Sequence, residues 1–438
     1  MTTVVDPLVA APSPVRDAHD RRATRELSIA LLGLGQVGSA FARLVATAPL
    51  ELGRTVKITG ALVRNTAREA QAGGVPLTAD PRALLDGRPD VVVEVLGGLE
   101  PARTLVLEAL ARGIPVVTAN KSLLAAHGDE LLEAAWRAQV PLRYEASVVA
   151  GVPFLGTFDR RPLAAAVTEL AGIVNGTSHF ILSKMETGRE YSDALADAQR
   201  LGYAERDPFN DIAGIDAAEK LTILIRQFAH SRVMTAEIPI EGIDHLLPAD
   251  LAQARELGGA IKPVVHADLR QSGALSAFVA PAFVSARHPL ASLTGVSNGV
   301  CLKSAHASLF YSGPGAGPAV TATTLFDDVA EALARNHEAR PWCESIAATV
   351  SAPAEGRWLV RLTAAHGLPS ASDTADLLSS HDVWTSRITE TTSQPGSDCR
   401  WLVALPCAKH RLARALESLE RAAGCEVTCL PVLEDPDA

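Results

Sequence analysis

The sequence predicts an α/β chain in three parts. A parallel sheet with helices on both faces comes first, then an α+β body on a second sheet, then a small α+β module. Three observations predict it. Short apolar runs at 27–32, 56–63, 91–96 and 116–118 alternate with helical patterns, as the strands of a buried parallel sheet do. The first run passes directly into Gly33-Leu34-Gly35-Gln36-Val37-Gly38, and a helical pattern follows from Ser39 to Ala46. After a stretch at 336–356 that carries Pro341 and Pro353, the pattern restarts as strand, helix, strand, strand, helix, strand.

Length and composition set the bounds. A chain of 438 residues with 47% hydrophobic content suits two or three domains with sizeable cores. The net charge of −10 (40 basic against 50 acidic residues) argues against nucleic acid or an anionic membrane as partner, and points to a small-molecule substrate. No apolar run approaches the roughly 20 residues that span a bilayer. Residues 1–26 hold Pro7, Pro12 and Pro14 without a long apolar core, and read as a disordered leader rather than a signal peptide. The six cysteines (Cys301, Cys343, Cys399, Cys407, Cys425, Cys429) form no CxxC, so neither a disulfide framework nor a zinc site is expected. Free thiols fit a reducing, cytoplasmic setting.

The first domain is expected over 27–146. In GxGxxG between strand and helix, Gly33 makes the tight turn, Gly35 lets backbone approach a pyrophosphate, and Gly38 lets the helix pack on the strand. The new helix N-terminus, with Leu34, Gln36 and Val37 around it, supplies amides to the anion. This is a Rossmann dinucleotide site. An NAD site usually carries an acid about 20 residues past the glycines, on the ribose 2′-hydroxyl. None stands there; Arg64 follows the second strand. It suits a 2′-phosphate, so NADP(H) is favoured and NAD(H) stays open, as does the plain reading of Arg64 as a solvated residue. Gly97-Gly98 ends the strand at 91–96, and Pro101 starts a helix. The strand at 116–118 runs into Asn120-Lys121, which places Lys121 at the C-terminal edge of the sheet, where ligands sit.

The second domain is expected over 147–340. A strand at 164–174 leads to Asn175-Gly176-Thr177, with Thr177 as the expected N-cap of a helix at 178–185. A helix at 192–201 feeds the stretch GYAERDPFNDIAGIDAAEK at 202–220. Pro208 keeps the acidic run off a regular helix, Gly214 turns, and Asp216 opens a helix. Asp216 and Lys220, four apart, share one helical face. Such a loop and face can hold a small ammonium-bearing molecule and offer it a proton; it can equally be a solvated loop with a surface ion pair worth roughly 0.3–0.5 kcal/mol. Lysine is scarce, seven of 40 basic residues, and unlike Arg it can be tuned to release a proton near neutral pH. Single strands are expected at 263–269, 275–284 and 300–309, then a flexible glycine turn at 312–318 and a helix at 320–334 that returns to the nucleotide domain. The tail at 357–434 reads as a separate ferredoxin-like module.

Assembled, these residues resemble homoserine dehydrogenase across roughly 27–334. The matching blocks are GLGQVG at 33–38, VVVEVLGG at 91–98, TANKSLLAAHG at 118–128, EASVVAGVP at 145–153, GIVNGTS at 172–178, the stretch at 202–220, and GPGAG at 313–317. The resemblance implies reversible reduction of L-aspartate 4-semialdehyde to L-homoserine with NAD(P)H, in threonine and methionine biosynthesis. It implies Lys220 as the proton donor at the aldehyde oxygen, Lys121 beside nicotinamide and substrate, and Asp216 beside the Lys220 chemistry. Glu205 and Asp211 would hold the substrate ammonium, with Gly202, Tyr203, Asn175, Gly176 and Thr177 around them. Gly97, Gly98 and Gly315 would line the cofactor. A monovalent cation, Na⁺ or K⁺, would lie at Glu145, Val148, Ala150 and Val152, mainly on backbone carbonyls. A homodimer or homotetramer is expected, and the tail would be an ACT-like regulatory module.

The sequence departs from the family at Ser178-His179-Phe180, where a Thr-Asn-Tyr type sequence is usual; His179 either alters substrate contacts or is inert. It departs at Ala150-Gly151, usually paired glycines. The effector turn of the tail reads Ala365-His366-Gly367-Leu368-Pro369, so weak or absent threonine inhibition is expected. Truncation after about Arg340 is expected to leave an active enzyme unless the tail builds a subunit interface. Two other readings remain: a different Rossmann oxidoreductase acting on an amino acid or aldehyde, and a sensor that binds without turnover.

Overall fold

The structure is a computed structural model and describes residues 26–47, 55–66, 74–160, 165–271, 273–315, 317–334, 343–365, 367–394 and 397–434. The leader lies outside the described residues. The first domain runs β1 (Leu27–Leu32), α1 (Gln36–Thr47), β2 (Val56–Leu62), β3 (Leu77–Thr78), α2 (Pro81–Asp86), β4 (Val91–Glu94), α3 (Ala102–Ala111), β5 (Val116–Thr118), α4 (Lys121–Ala138) and β6 (Leu142–Arg143). Its six strands pair in the order β3-β2-β1-β4-β5-β6, all parallel. The order reverses at β1 and β4, and there a doubly wound sheet opens its ligand crevice. The pair β3 and α2 went unread in the sequence, because β3 is only two residues long.

The body begins with α5 (Leu155–Arg160) and β7 (Val167–Ile173). It continues with α6 (Gly176–Met185), α7 (Tyr191–Arg200), α8 (Phe209–Ile212), α9 (Ile215–Ala229), β8 (Ser231–Arg232), α10 (Pro248–Glu256), β9 (Gly259–Asp268) and β10 (Ala274–Ser285). Then come β11 (Ser297–Ser304), β12 (Ser308–Pro314) and α11 (Pro318–Leu333). Three expectations change here. The single strand expected at 300–309 is a hairpin, β11 and β12, because Ser304 closes a tight turn with Ala307: its amide donates to the Ala307 carbonyl at 2.8 Å. Thr177 is not the cap of α6; Asn175 is, its Oδ1 accepting from the Ser178 amide at 2.8 Å. The glycine turn expected to be flexible is held by hydrogen bonds where it is described, Ala316 lying outside the described residues. Ser312–Pro314 finish β12, and Gly315 donates to the Val296 carbonyl and accepts from Asn298, at 3.0 and 3.2 Å. A Cβ at Gly315 would stand 2.3 Å from Asn298 Cγ, so only glycine fits there. Helix α11 does return: Leu325 and Val329 share a core with Ile29, Leu31 and Phe41 of the nucleotide domain.

Beyond the body lie β13 (Ile346–Ala347), β14 (Thr349–Ser351), β15 (Glu355–Ala364), α12 (Ala371–Ser379), β16 (Thr385–Ile388), β17 (Thr392–Gln394), β18 (Ser397–Ala408), α13 (Lys409–Ala423) and β19 (Glu426–Leu433). The expected strand and helix order is present, with β17 added. The stretch before it is no free linker where it is described: β13 pairs with β8 and β14 with β10. Nor is the tail's sheet separate. Strand β19 pairs in parallel with β10 (Phe283 with Val432, Val284 with Leu433), giving one long sheet β12-β11-β7-β9-β10-β19-β15-β18-β16. The six cysteines are free. Among the described residues no helix is long and apolar enough to cross a membrane, and no group of three or more His, Cys, Asp or Glu could hold a metal ion.

Candidate active site

The glycine turn behaves as its spacing predicts. A Cβ on Gly33 would stand 2.8 Å from the Val95 carbonyl oxygen, and one on Gly38 2.4 Å from the Gly33 oxygen. One on Gly35 would meet nothing within 4 Å, which leaves the space over the N-terminus of α1 open to an anion. Arg64 follows the end of β2, which the Gly33 amide joins at the Leu62 carbonyl, 3.2 Å, and its side chain is exposed.

Sequence reasoning missed what fixes the far side of this crevice. Glu94, last residue of β4, is fully buried. Its carboxylate accepts from Thr118 Oγ1 at 2.5 Å, from the Leu96 amide at 2.8 Å and from Asn120 Nδ2 at 3.3 Å. Asn120 also donates to the Gly98 carbonyl at 2.7 Å and caps α4 through Leu123 N at 3.1 Å. One acid thus ties the ends of β4 and β5 to the Gly97-Gly98 turn and orients the helix that starts at Lys121. Burial raises the Glu94 carboxyl above its ordinary range despite these bonds. A lone carboxylate inside the apolar run VVVEVL was the available signal.

Opposite stands α9. Gly214, at φ +82°, makes the left-handed turn that caps it, so Asp216 enters in its first turn. Asp216 Oδ2 lies 2.7 Å from Lys220 Nζ, and Oδ1 lies 3.1 Å from Lys121 Nζ. One buried carboxylate therefore joins a lysine from each domain. Lys220 also donates to the Val174 carbonyl at 2.7 Å. Asn175 Nδ2 donates to Asp216 at 2.8 Å and to Asp211 at 2.7 Å. Burial pushes the Asp216 carboxyl up, but Lys220 and Lys121 outweigh it and hold the group down at about 2. Asp216 is thus ionised across the physiological range. Asp211 is the reverse: burial and the neighbouring Asp216 charge raise it, more than Asn175 and the lysines lower it. It is a carboxylate short of positive charge. Burial pulls the Lys121 ammonium down, but Asp216, Glu219 and Asp211 together outweigh it, and its pKa is raised.

A cavity of about 280 Å³ joins these parts; Val37, Gly97, Lys121, Val148, Lys220 and Gly315 are on its wall. It lies at the C-terminal ends of β1, β4 and β5, and both lysines face it. Other expected residues stand further out. Gly202 (φ +78°) and Tyr203 form an exposed turn held by Thr177 Oγ1 donating to the Tyr203 carbonyl at 2.7 Å. The Tyr203 ring packs on Phe180, centroids 5.0 Å apart. Glu205 is exposed on the same loop, and its carboxylate has no partner among the described residues. His179 is inert towards the cavity. It is buried, with Nδ1 2.8 Å from the Ser297 carbonyl and Nε2 3.2 Å from that of Leu293, and burial and Lys262 push it down to about 4. The Glu145 carboxylate accepts from the amides of Phe154, Leu155 and Gly156 at 2.9, 2.9 and 2.8 Å, closing the N-terminus of α5.

The chain is similar to known proteins over this same span. A family model described as homoserine dehydrogenase matches residues 153–330, and one described as homoserine dehydrogenase, NAD binding domain, matches 33–145. The homoserine dehydrogenase of Corynebacterium glutamicum is 40% identical over 323 residues, 71% of this chain and 72% of that protein. That of Mycobacterium tuberculosis is 40% identical over 326 residues, 71% and 73%. A solved homoserine dehydrogenase from Thiobacillus denitrificans matches with a TM-score of 0.83 at 33% identity, covering 94% of this chain and 99% of its own. A hyperthermophilic archaeal homoserine dehydrogenase, solved in complex with NADPH, matches at 0.61 and 26% identity, covering 72% and 100%.

Proposed function

The chain belongs to the homoserine dehydrogenase family, and on that premise we propose how its residues divide the work. The reaction is the reversible, NAD(P)H-dependent reduction of L-aspartate 4-semialdehyde to L-homoserine. Hydride exchange at the carbonyl carbon is the chemistry that the bound nicotinamide cofactor supplies. The open space at Gly35 and the crowding at Gly33 and Gly38 fit a dinucleotide, with Leu34, Gln36 and Val37 at its pyrophosphate and Gly97, Gly98, Lys121 and Gly315 towards its nicotinamide end. As charge grows on the aldehyde oxygen, Lys220 gives it a proton and Lys121 adds a second positive charge. Asp216 stays ionised, aims both ammonium groups at the cavity and takes no proton itself. Asp211 and Glu205 hold the substrate ammonium, and Asn175, Gly176, Thr177, Gly202 and Tyr203 shape the pocket around it. One observation carries this reading: a single buried carboxylate holds lysines from two domains at the rim of one cavity. Consumption of NADPH with aspartate semialdehyde tests it; no turnover with either cofactor would sink it.

Glu205→Gln is expected to raise KM for homoserine by about tenfold or more and to leave KM for the cofactor nearly unchanged. It removes one charge-assisted bond to the ammonium, worth roughly 1.5–3 kcal/mol, and none to a phosphate. Parallel rises in both KM values would count against the assignment.

NADP(H) is the preferred cofactor in this reading, because Arg64 stands where an acid would repel a 2′-phosphate. Arg64→Ala should lower kcat/KM for NADPH at least about tenfold, the loss of one such bond, and spare NADH. Equal losses with the two cofactors would refute the role of Arg64.

For a monovalent cation the donor set fits in part. The carbonyls of Val148, Ala150 and Val152 accept no hydrogen bond among the described residues, whereas the Glu145 carboxylate is filled by amides. The carbonyls would hold Na⁺ or K⁺, and a melting temperature unchanged between those salts and tetramethylammonium chloride would speak against it. A homo-oligomer of two or four copies fits the open outer edge of β12, with Phe310 exposed on it; light scattering decides. An ACT-like module fits the tail's sheet order β19-β15-β18-β16 with α12 and α13. Threonine titration tests it, and weak or no inhibition is expected.

A further inference from the structure

Helix α6 touches both sides of the catalytic cavity without lining it. At its start Asn175 holds Asp216 and Asp211. Four residues apart on one face, His179 and Ser183 grip the turn that leads into β11. His179 Nδ1 lies 2.8 Å from the Ser297 carbonyl oxygen, and Ser183 Oγ accepts from the Gly295 amide at 3.0 Å. Strand β7 ends at Ile173, opposite Gly299, two residues short of Ser297. The ladder stops there, and the His179 ring supplies the donor that the Ser297 carbonyl needs. A neutral imidazole carries one N–H. The Leu293 carbonyl, 3.2 Å from Nε2, already accepts from Lys262 Nζ at 3.0 Å, so the N–H belongs on Nδ1, at the shorter contact. Lys262 is buried and fixed in turn by Glu186 at 2.8 Å. The residues on either side of Ser297 carry this grip to the cavity. The Val296 carbonyl accepts from the Gly315 amide at 3.0 Å, and Asn298 Nδ2 donates to the Gly315 carbonyl at 3.2 Å. Gly315 is on the cavity wall. A Cβ on it would stand 2.3 Å from Asn298 Cγ and 2.4 Å from the Val296 oxygen, so a shift of the one segment moves the other.

We propose that His179 is a positioning residue for the cofactor: its Nδ1–H fixes the Ser297 carbonyl and, through Val296 and Asn298, the Gly315 rim against which the nicotinamide end lies. One helix then sets both walls of the cavity, the acids from Asn175 and the cofactor rim from His179 and Ser183. The inference rests on the placement of Gly315 at the nicotinamide end. His179 itself is fully buried and touches neither substrate nor cofactor.

The test compares two amides at this position. In His179→Asn the side-chain nitrogen takes the place of Nδ1 and can donate to Ser297; in His179→Gln it sits one carbon further out, at the place of Nε2. Both keep a polar group in the same buried space, and melting temperature is recorded with each. His179→Gln is expected to lower kcat/KM for NADPH about tenfold, since a misplacement of about 1 Å at reacting atoms costs up to about 10²-fold, and to leave KM for aspartate semialdehyde nearly unchanged. His179→Asn should restore most of the NADPH efficiency. Asn298→Ala loosens Gly315 directly and should reproduce the NADPH-selective loss; adding His179→Gln to it should cost little more, because the two act on one set of contacts. Equal kinetics for the two amides, or a loss spread over both substrates, would make His179 an ordinary core residue and overturn the proposal. If Asn298→Ala gives the NADPH-selective loss and His179→Gln does not, the His179 link alone is refuted. If neither gives it, Gly315 is no cofactor rim, and the proposal falls together with that placement of the cofactor.

Discussion

Replacing Lys220 by Ala is expected to lower kcat at least about a hundredfold while NADPH still binds nearly as well. Positioned acid–base groups contribute typically about 10²–10⁴-fold. Lys220 Nζ lies 2.7 Å from Asp216 Oδ2 and 2.7 Å from the Val174 carbonyl, within the body, whereas the pyrophosphate turn is built from β1 and α1. Among the described residues, the substitution leaves Asp216 held by Lys121 and Asn175, so its carboxyl should rise from about 2. Melting temperature must therefore be recorded beside the rate. Lys220→Gln separates two roles. It can donate a hydrogen bond but cannot deliver a proton, so recovery of activity with Gln would make Lys220 a positioning residue. A fall of less than about tenfold with Ala would remove Lys220 from the proton path, leaving Lys121 as the donor.

The two lysines show what the sequence made legible. Helical spacing put Asp216 and Lys220 on one face, and strand order put Lys121 at the sheet edge; both are local rules, and the structure satisfies both. What spacing could not show is that one carboxylate would serve the two lysines, 95 positions from Lys121 to Asp216 in the chain. That is a property of how two domains dock. Glu94 was hidden for the same reason: its partners Thr118 and Asn120 come from the next strand over. The Asn175 cap was misplaced onto Thr177 because both types cap helices well, and the choice was made by Asp211 and Asp216, which hold the Asn175 side chain in place. The hairpin of β11 and β12 read as one strand because Ser304 to Ala307 lacks the glycine or proline that marks most turns. The tail was read correctly in its own pattern and wrongly in its independence, since the pairing of β19 with β10 leaves no mark in either strand's sequence.

That pairing governs the second large effect: truncation after Arg340 is expected to give an aggregating or strongly destabilised protein, not the sturdy enzyme that a separate module would leave behind. The cut removes β19 from the edge of β10 and strips β13 and β14 from β8 and β10. It also opens a shared core. Leu359, Trp401 and Leu430 of the tail pack in one cluster with Ile181, Leu251, Ile261 and Phe283 of the body. Each large side chain in such a core contributes about 1.5–3 kcal/mol by burial, so three of them approach the roughly 5–15 kcal/mol that holds a domain folded. Asp250, 2% exposed, loses the Trp401 indole N–H at 2.7 Å and its ion pair with Arg361 together. The chemistry itself should survive, because Lys121, Asp216 and Lys220 have no partner among the described residues of the tail. The expected signature is therefore a large drop in soluble yield and melting temperature, with kcat per folded molecule close to that of the full chain. A truncated protein that is monodisperse, melts where the full chain melts and turns over at the same rate would show that the body's sheet tolerates its open edge, and that the seam at β10 and β19 contributes little to the fold.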